Sequence, residues 1–272
     1  MNRCPVLTAS IFLASIAALC NSSRAGDPLI RQQKSVIVDG VAEVWQLRWD
    51  KKPEPVCAAD EAELSLTCPC SGFAYGEQGN LKLVRSRPGG LHETLALGPF
   101  FVDPGFAGHT AGASVVQRRQ PVEAGDDNDW KHASDKDFVT QVRKRKPKDL
   151  MNFADYDHDG RATEFLLQVS TKPCGKHQMV LIGISKSNPH LHAFSTPEKP
   201  DSPLVLATWE WDALLKSDGH ATVIDWNCGD HLSGFEWRAN LDAHDGVLHA
   251  KLRSFECQAK GSSAKSIEEV DR

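Results

Sequence analysis

The chain has 272 residues and a formal net charge of −5, with 40% of its residues hydrophobic and 25% charged. That length is enough for one large or two small domains with a proper core. The mild acidity, with no basic groove legible along the chain, argues against nucleic acid as a partner.

The opening stretch, MNRCPVLTASIFLASIAALCNSSRAGDP, places Arg3 before an apolar run from Val6 to Leu19, followed by small and polar residues. This is the layout of an export signal, too short in its apolar part to span a bilayer. Residues 1–25 are therefore expected to be a signal peptide cut near Ala25, with Ser23 and Ala25 as the small residues before the cut. Lipidation at Cys20 is the alternative, and bulky Leu19 speaks against it. The expected product, residues 26–272, is secreted or periplasmic, has no transmembrane anchor, and carries a charge of about −7 once Arg3 and Arg24 are gone.

Cys4 and Cys20 leave with that segment, and six cysteines remain: Cys57, Cys68, Cys70, Cys174, Cys228 and Cys257. In an oxidising compartment an even set reads as disulfides, with about 15 possible pairings. Cys68 and Cys70 flank a proline, and a ring that small is strained, so they are expected to bond different partners. Cys57 is the nearest partner for one and Cys174 a candidate for the other, which leaves Cys228 with Cys257. Zinc or redox use is the alternative, but the spacings match neither zinc knuckles nor a C-x-x-C.

Along the rest of the chain the periodicity is that of strands. In AEVWQLRW, Val44, Gln46 and Arg48 alternate with Trp45, Leu47 and Trp49, and NLKLVRSR, ETLALGPFF and HQMVLIGIS are similar short runs bounded by Gly, Pro or Asn. Loops are expected at DPGFAGHTAGAS and at RRQPVEAGDDNDWKHASDKD, where residues 121–136 are the candidate divide between two halves. A helix is expected in SDKDFVTQVRKRK, with Ser134 as N-cap and a basic C-terminal end that suits the helix dipole. A second is expected from Thr208 toward Gly219. After it, ATVIDWNC, GFEWRANLDA and GVLHAKLRSFEC follow closely, the last two joined at Asp245-Gly246, a two-residue hairpin signal because both turn positions need positive φ. The closing IEEVDR reads as a frayed tail. The fold class expected is mainly β: antiparallel sheets in a sandwich or small propeller, few short helices, and disulfide staples.

The sharpest chemical signal lies in NFADYDHDGRATEFLLQVS. Asp155, Asp157 and Asp159 stand at every second position before Gly160. Carboxylates so close repel one another unless a cation sits between them, and a hard cation such as calcium takes six to eight oxygens at about 2.3–2.6 Å. Gly160 allows the turn that would present the backbone carbonyl of Arg161, and Glu164 is the nearby carboxylate that could close the shell. An EF-hand is ruled out by Ala162 and Leu166, which occupy its eighth and twelfth positions. The loop instead resembles the calcium-binding turn of integrin-type FG-GAP or VCBS repeats, in which D-x-D-x-D-G is followed by two residues, an Asp and an apolar strand. The resemblance covers about 15 residues and implies a calcium-braced hairpin and a propeller-like blade. Thr163 stands where the family has Asp, with Glu164 one place later. An ion with such a ligand set is structural, since no position is left open for substrate.

Other chemistry is thin. His190 and His192 share one strand face and could begin a zinc site with His220, His231, His244 or His249, but no metalloprotease frame is present. No nucleophile elbow or phosphate-cradling loop is found. Trp209, Trp211, Trp226 and Trp237 lie near carboxylates, and a glycosidase would place its acids at Asp225, Asp230 and Glu236. These signals favour a secreted binding or structural module of a protein or glycan ligand over an enzyme, with a secreted, carbohydrate-active hydrolase as the rival.

Overall fold

The computed structural model describes residues 29–57, 69–106, 108–119, 140, 144–172, 176–257 and 266–272. Strands dominate them. In chain order these are β1 (Leu29–Val38), β2 (Val41–Trp49), β3 (Glu54–Val56), β4 (Gly76–Gly79), β5 (Leu81–Ser86), β6 (His92–Ala96), β7 (Ser114–Gln117), β8 (Glu164–Lys172) and β9 (Lys176–Gly183). There follow β10 (His192–Ala193), β11 (Ser195–Thr196), β12 (Lys199–Pro203), β13 (Val205–Ala207), helix α1 (Thr208–Lys216), β14 (His220–Trp226), β15 (Phe235–His244), β16 (Val247–Glu256) and β17 (Ser266–Asp271).

Every strand pairing is antiparallel, and the strands form five sheets among the described residues. One sheet has the order β1-β2-β5-β6, a second β3-β4-β7, and the last is a meander β14-β15-β16-β17. In the middle sheet β9 pairs with β8 along one edge, and with β10 and β13 on successive stretches of the other. A short hairpin, β11-β12, completes the set.

That middle sheet explains why its strands read as continuous apolar runs. Successive side chains of a strand point to opposite faces. Phe165, Leu167 and Val169 of β8, with Val180 and Ile182 of β9, join a first core with Trp45, Leu47, Leu83 and Phe73. Leu181, with Leu166 and Met179 against it, faces a second core built from Trp211 and Leu214 of α1, Leu206, and Ala239, Leu241 and Leu248 of the meander. A sheet covered on both faces has no polar face to alternate with.

Hairpin chemistry follows the sequence at two places. Asp245 and Gly246 turn with φ of 50° and 83°, pairing His244 with Val247. Asp39-Gly40, with φ of 49° and 78°, joins β1 to β2 in the same way, a hairpin signal of equal strength not among the expected turns. Helix α1 stops at Ser217, whose N–H and hydroxyl both donate to the Leu214 carbonyl, two residues before the expected glycine. The expected tail is corrected: Ser266–Asp271 is a strand paired with β16, and Arg272 ties the end of the chain to buried Glu210 (2.8 Å) and to Asp225 (2.9 Å).

Disulfides join Cys57 to Cys70 and Cys228 to Cys257. Cys68 and Cys174, the 121–136 divide, the signal segment, and most of the helix expected after Ser134 lie outside the described residues; from that stretch Thr140 and Lys144 are helical and Arg145 and Lys146 are not. No helix among the described residues is long and apolar enough to cross a membrane.

Candidate metal centre

The acidic loop is positioned by the two cores it lies between. Before it, Met151 and Phe153 enter the first core, where the Phe153 ring packs edge-on against Trp45 (5.2 Å) and Phe165 (5.6 Å). Within the next three residues the chain has crossed: Ala154 and Tyr156 belong to the second core, with Tyr156 edge-on to Trp211 at 6.0 Å. The Ala154 N–H donates to the Glu164 carbonyl (2.9 Å), so the strand leaving the loop clasps the segment entering it.

Between these anchors the loop closes on itself. The Asp159 N–H is shared by Asp155 Oδ1 (3.0 Å) and Asp157 Oδ1 (3.2 Å), the Gly160 N–H donates to Asp155 Oδ2 (3.0 Å), and the Arg161 N–H to Asp159 Oδ1 (2.8 Å). His158 and Gly160 hold positive φ of 51° and 86°; at the latter only glycine avoids strain. Neighbouring elements fasten the outside. The Lys186 N–H donates to Asp159 Oδ2 (2.6 Å) and its ammonium to the Asp159 carbonyl. Gly246, in the β15–β16 turn, donates to the Asp157 carbonyl (3.2 Å), and a His158 ring nitrogen bonds the Leu214 carbonyl at the end of α1 (3.0 Å).

The result is a focus of negative charge. Asp155, Asp157 and Asp159 each offer a carboxylate oxygen within 4.8 Å of the others, and no further such trio occurs among the described residues. Asp157 is fully buried and Asp159 is 3% exposed. Asp157 Oδ2 has no hydrogen-bond partner, although a buried carboxylate oxygen left unpaired is costly. Burial first, then the charges of Asp159 and Asp155, push the Asp157 carboxyl up to about 7. The arrangement could hold a metal ion, which would answer the orphaned oxygen and the repulsion together.

Glu164, also fully buried, stands beside this trio and outside it. Its Oε1 accepts from the Thr163 N–H (3.1 Å) and hydroxyl (2.6 Å), and its Oε2 from the Tyr156 N–H (3.0 Å). Burial and then the Asp157 charge raise it to about 9. Thr163 thus braces the Glu164 carboxyl, and its hydroxyl also lies 2.9 Å from the Ile184 carbonyl. The Arg161 guanidinium turns away to Asp39 (2.8 Å).

Residues considered for other chemistry are dispersed into pairs. His190 Nδ1 meets Glu93 (2.5 Å), while His192 bonds the His190 carbonyl (2.8 Å) and packs its ring on Phe194. Asp225 pairs with Arg272 and Glu236 with Arg238 (2.5 Å); Asp230 opens the short 3-10 turn Asp230–Leu232. Trp211 is core, and the faces of Trp209 and Trp226 cover the Lys176 ammonium at 5.3 and 4.3 Å. Lys186 was not foreseen as part of the acidic loop; lying 27 residues from Asp159, it leaves no local sequence signal. The chain matches no family model, no curated protein and no solved structure.

Proposed function

We propose that this is an exported β protein in which the acidic loop carries a structural calcium ion, and that the ion locks the seam between the two cores so that the sheets present a fixed binding surface. The observation that carries the reading is the buried, unpartnered Oδ2 of Asp157 at the focus of three carboxylates. Aspartates from alternate positions favour a hard cation, and the ligand set comprises side-chain oxygens of Asp155, Asp157 and Asp159 with the Arg161 carbonyl. Glu164 completes it through Oε2, which accepts one hydrogen bond and keeps a second lone pair. The likeness of the loop to FG-GAP or VCBS turns supports the same ion. Two disulfides suit an oxidising compartment and hence export.

Direct titration tests this. Chelator-treated protein should take up one calcium ion per chain in calorimetry or equilibrium dialysis, and Asp157→Asn should abolish uptake. Stoichiometric zinc binding with no calcium binding would reject the assignment, because a site selective for zinc calls for nitrogen or sulfur donors.

A further inference from the structure

A second charged feature is assembled by chain crossing and not by local sequence. Strand β1 brings Arg31 against the end of β7, where Arg118 and Arg119 follow in succession, and with Lys52 they line a cavity of about 320 Å³. Among the described residues Glu77 is the only carboxylate lining it, so there the positive groups outnumber the negative ones four to one, in a chain whose net charge is −5.

That carboxylate is already engaged. Arg31 Nε lies 3.0 Å from Glu77 Oε1, with the two side chains only 7% and 11% exposed. Arg31 Nη2 donates to the carbonyls of Gln117 (3.0 Å) and Lys148 (3.1 Å), which fixes the guanidinium in place. Among the described residues the other three cations have no anion closer than 4.0 Å. Arg118 approaches Glu77 at 4.0 Å and is exposed; Arg119 donates to the neutral carbonyl of Arg145 (2.9 Å); Lys52 makes no ion pair among the described residues. Burial and the nearby charges of Arg118 and Arg119 hold Arg31 below its ordinary value in spite of Glu77. Leu29 and Ile30, 46% and 53% exposed, supply an apolar wall beside these charges.

We propose that this cavity binds an organic oxyanion, a phosphate or sulfate ester, with the charged group held by Lys52, Arg118 and Arg119 and its organic part laid on Leu29 and Ile30. Guanidinium forks match the geometry of phosphate and sulfate oxygens, and a pre-fixed Arg31 leaves little to reorganise on binding. The volume suits a small ester and lies at the lower end of ligand sites. The site is separate from the acidic loop and does not depend on the ion there.

The experiment is calorimetric and NMR titration of the full chain with phenyl phosphate, phenyl sulfate, inorganic phosphate, inorganic sulfate and neutral benzyl alcohol, in low and in high salt, with chelator present. At least one phenyl ester should bind about tenfold more tightly than its inorganic ion and weaken as salt rises. Lys52→Gln combined with Arg118→Gln changes two exposed side chains, so the fold should persist, and affinity should fall about tenfold or more. No response to any anion at about 10 mM, equal affinity in the double variant, or benzyl alcohol binding as well as the esters would overturn the proposal. Inorganic ions binding as tightly as the esters would overturn the role given to Leu29 and Ile30.

Discussion

Asp157→Asn offers the most discriminating perturbation, because it keeps the volume of a fully buried side chain while removing its charge. In the metal-free protein the wild-type carboxylate is uncompensated: Oδ2 has no partner, and Asp155 and Asp159 repel it. With chelator present, the variant should therefore be more stable than wild type at neutral pH. Calcium must reverse that order. A ligand at about 100 times its Kd stabilises by about 2.7 kcal/mol, and in a chain of this size each kcal/mol moves the midpoint by about 2–4 °C, so wild type should gain about 5–11 °C. The variant should gain nothing. Differential scanning of both proteins with calcium and with chelator measures all four midpoints. Wild type with the same midpoint in calcium and chelator, or Asp157→Asn retaining the full calcium response, would refute the reasoning.

The same carboxylates set a pH dependence. Asp157 and Glu164 are raised to about 7 and about 9, so between their unfolded values and those limits the folded, metal-free chain binds more protons than the unfolded one. Its stability should fall as pH rises from about 4 to 9, and urea midpoints in chelator should be higher at pH 5 than at pH 8. His177 works in the opposite sense: burial, then Lys148, lowers it to about 4, so the unfolded chain gains a proton first and stability is lost as pH falls from about 6.5 to 4. His177→Gln should flatten that limb in calcium-containing buffer. In the first sheet, Glu43 is fully buried and accepts from Arg85 at 2.6 and 2.9 Å and from Trp45 (3.1 Å). Glu43→Ala should cost about 3–5 kcal/mol in denaturant unfolding, with Glu43→Met/Arg85→Met recovering part of the loss. Replacing Cys228 and Cys257 by serine releases a loop with sequence separation 29 and should cost about 3–4 kcal/mol, read from the same curves.

What could be read from the chain and what could not divides along the range of the forces involved. Alternation at Trp45, Leu47 and Trp49, the Asp245-Gly246 turn and the approach of Asp155, Asp157 and Asp159 are consequences of backbone geometry over a few residues, and they appear as written. IEEVDR reads locally as a frayed tail, whereas the place of the strand Ser266–Asp271 is set by pairing with β16 and by Lys251 and Arg253 reaching Glu269, contacts no local pattern announces. The cavity around Arg31 was illegible for the same reason, as its cations come from β1, the β2–β3 turn and the end of β7.

The position of the acidic loop follows from the middle sheet. Because β8 and β9 are buried on both faces, the segment entering β8 must serve two cores within four residues, Phe153 to one and Tyr156 to the other. A crossing that short places Asp155 and Asp157 on either side of Tyr156, with Asp157 and Asp159 buried, and the Gly246 and Leu214 contacts then hold the loop against the meander and α1. Carboxylates gathered by packing they cannot escape are a standing electrostatic cost. A cation held at that point would convert the cost into a tie between the two cores.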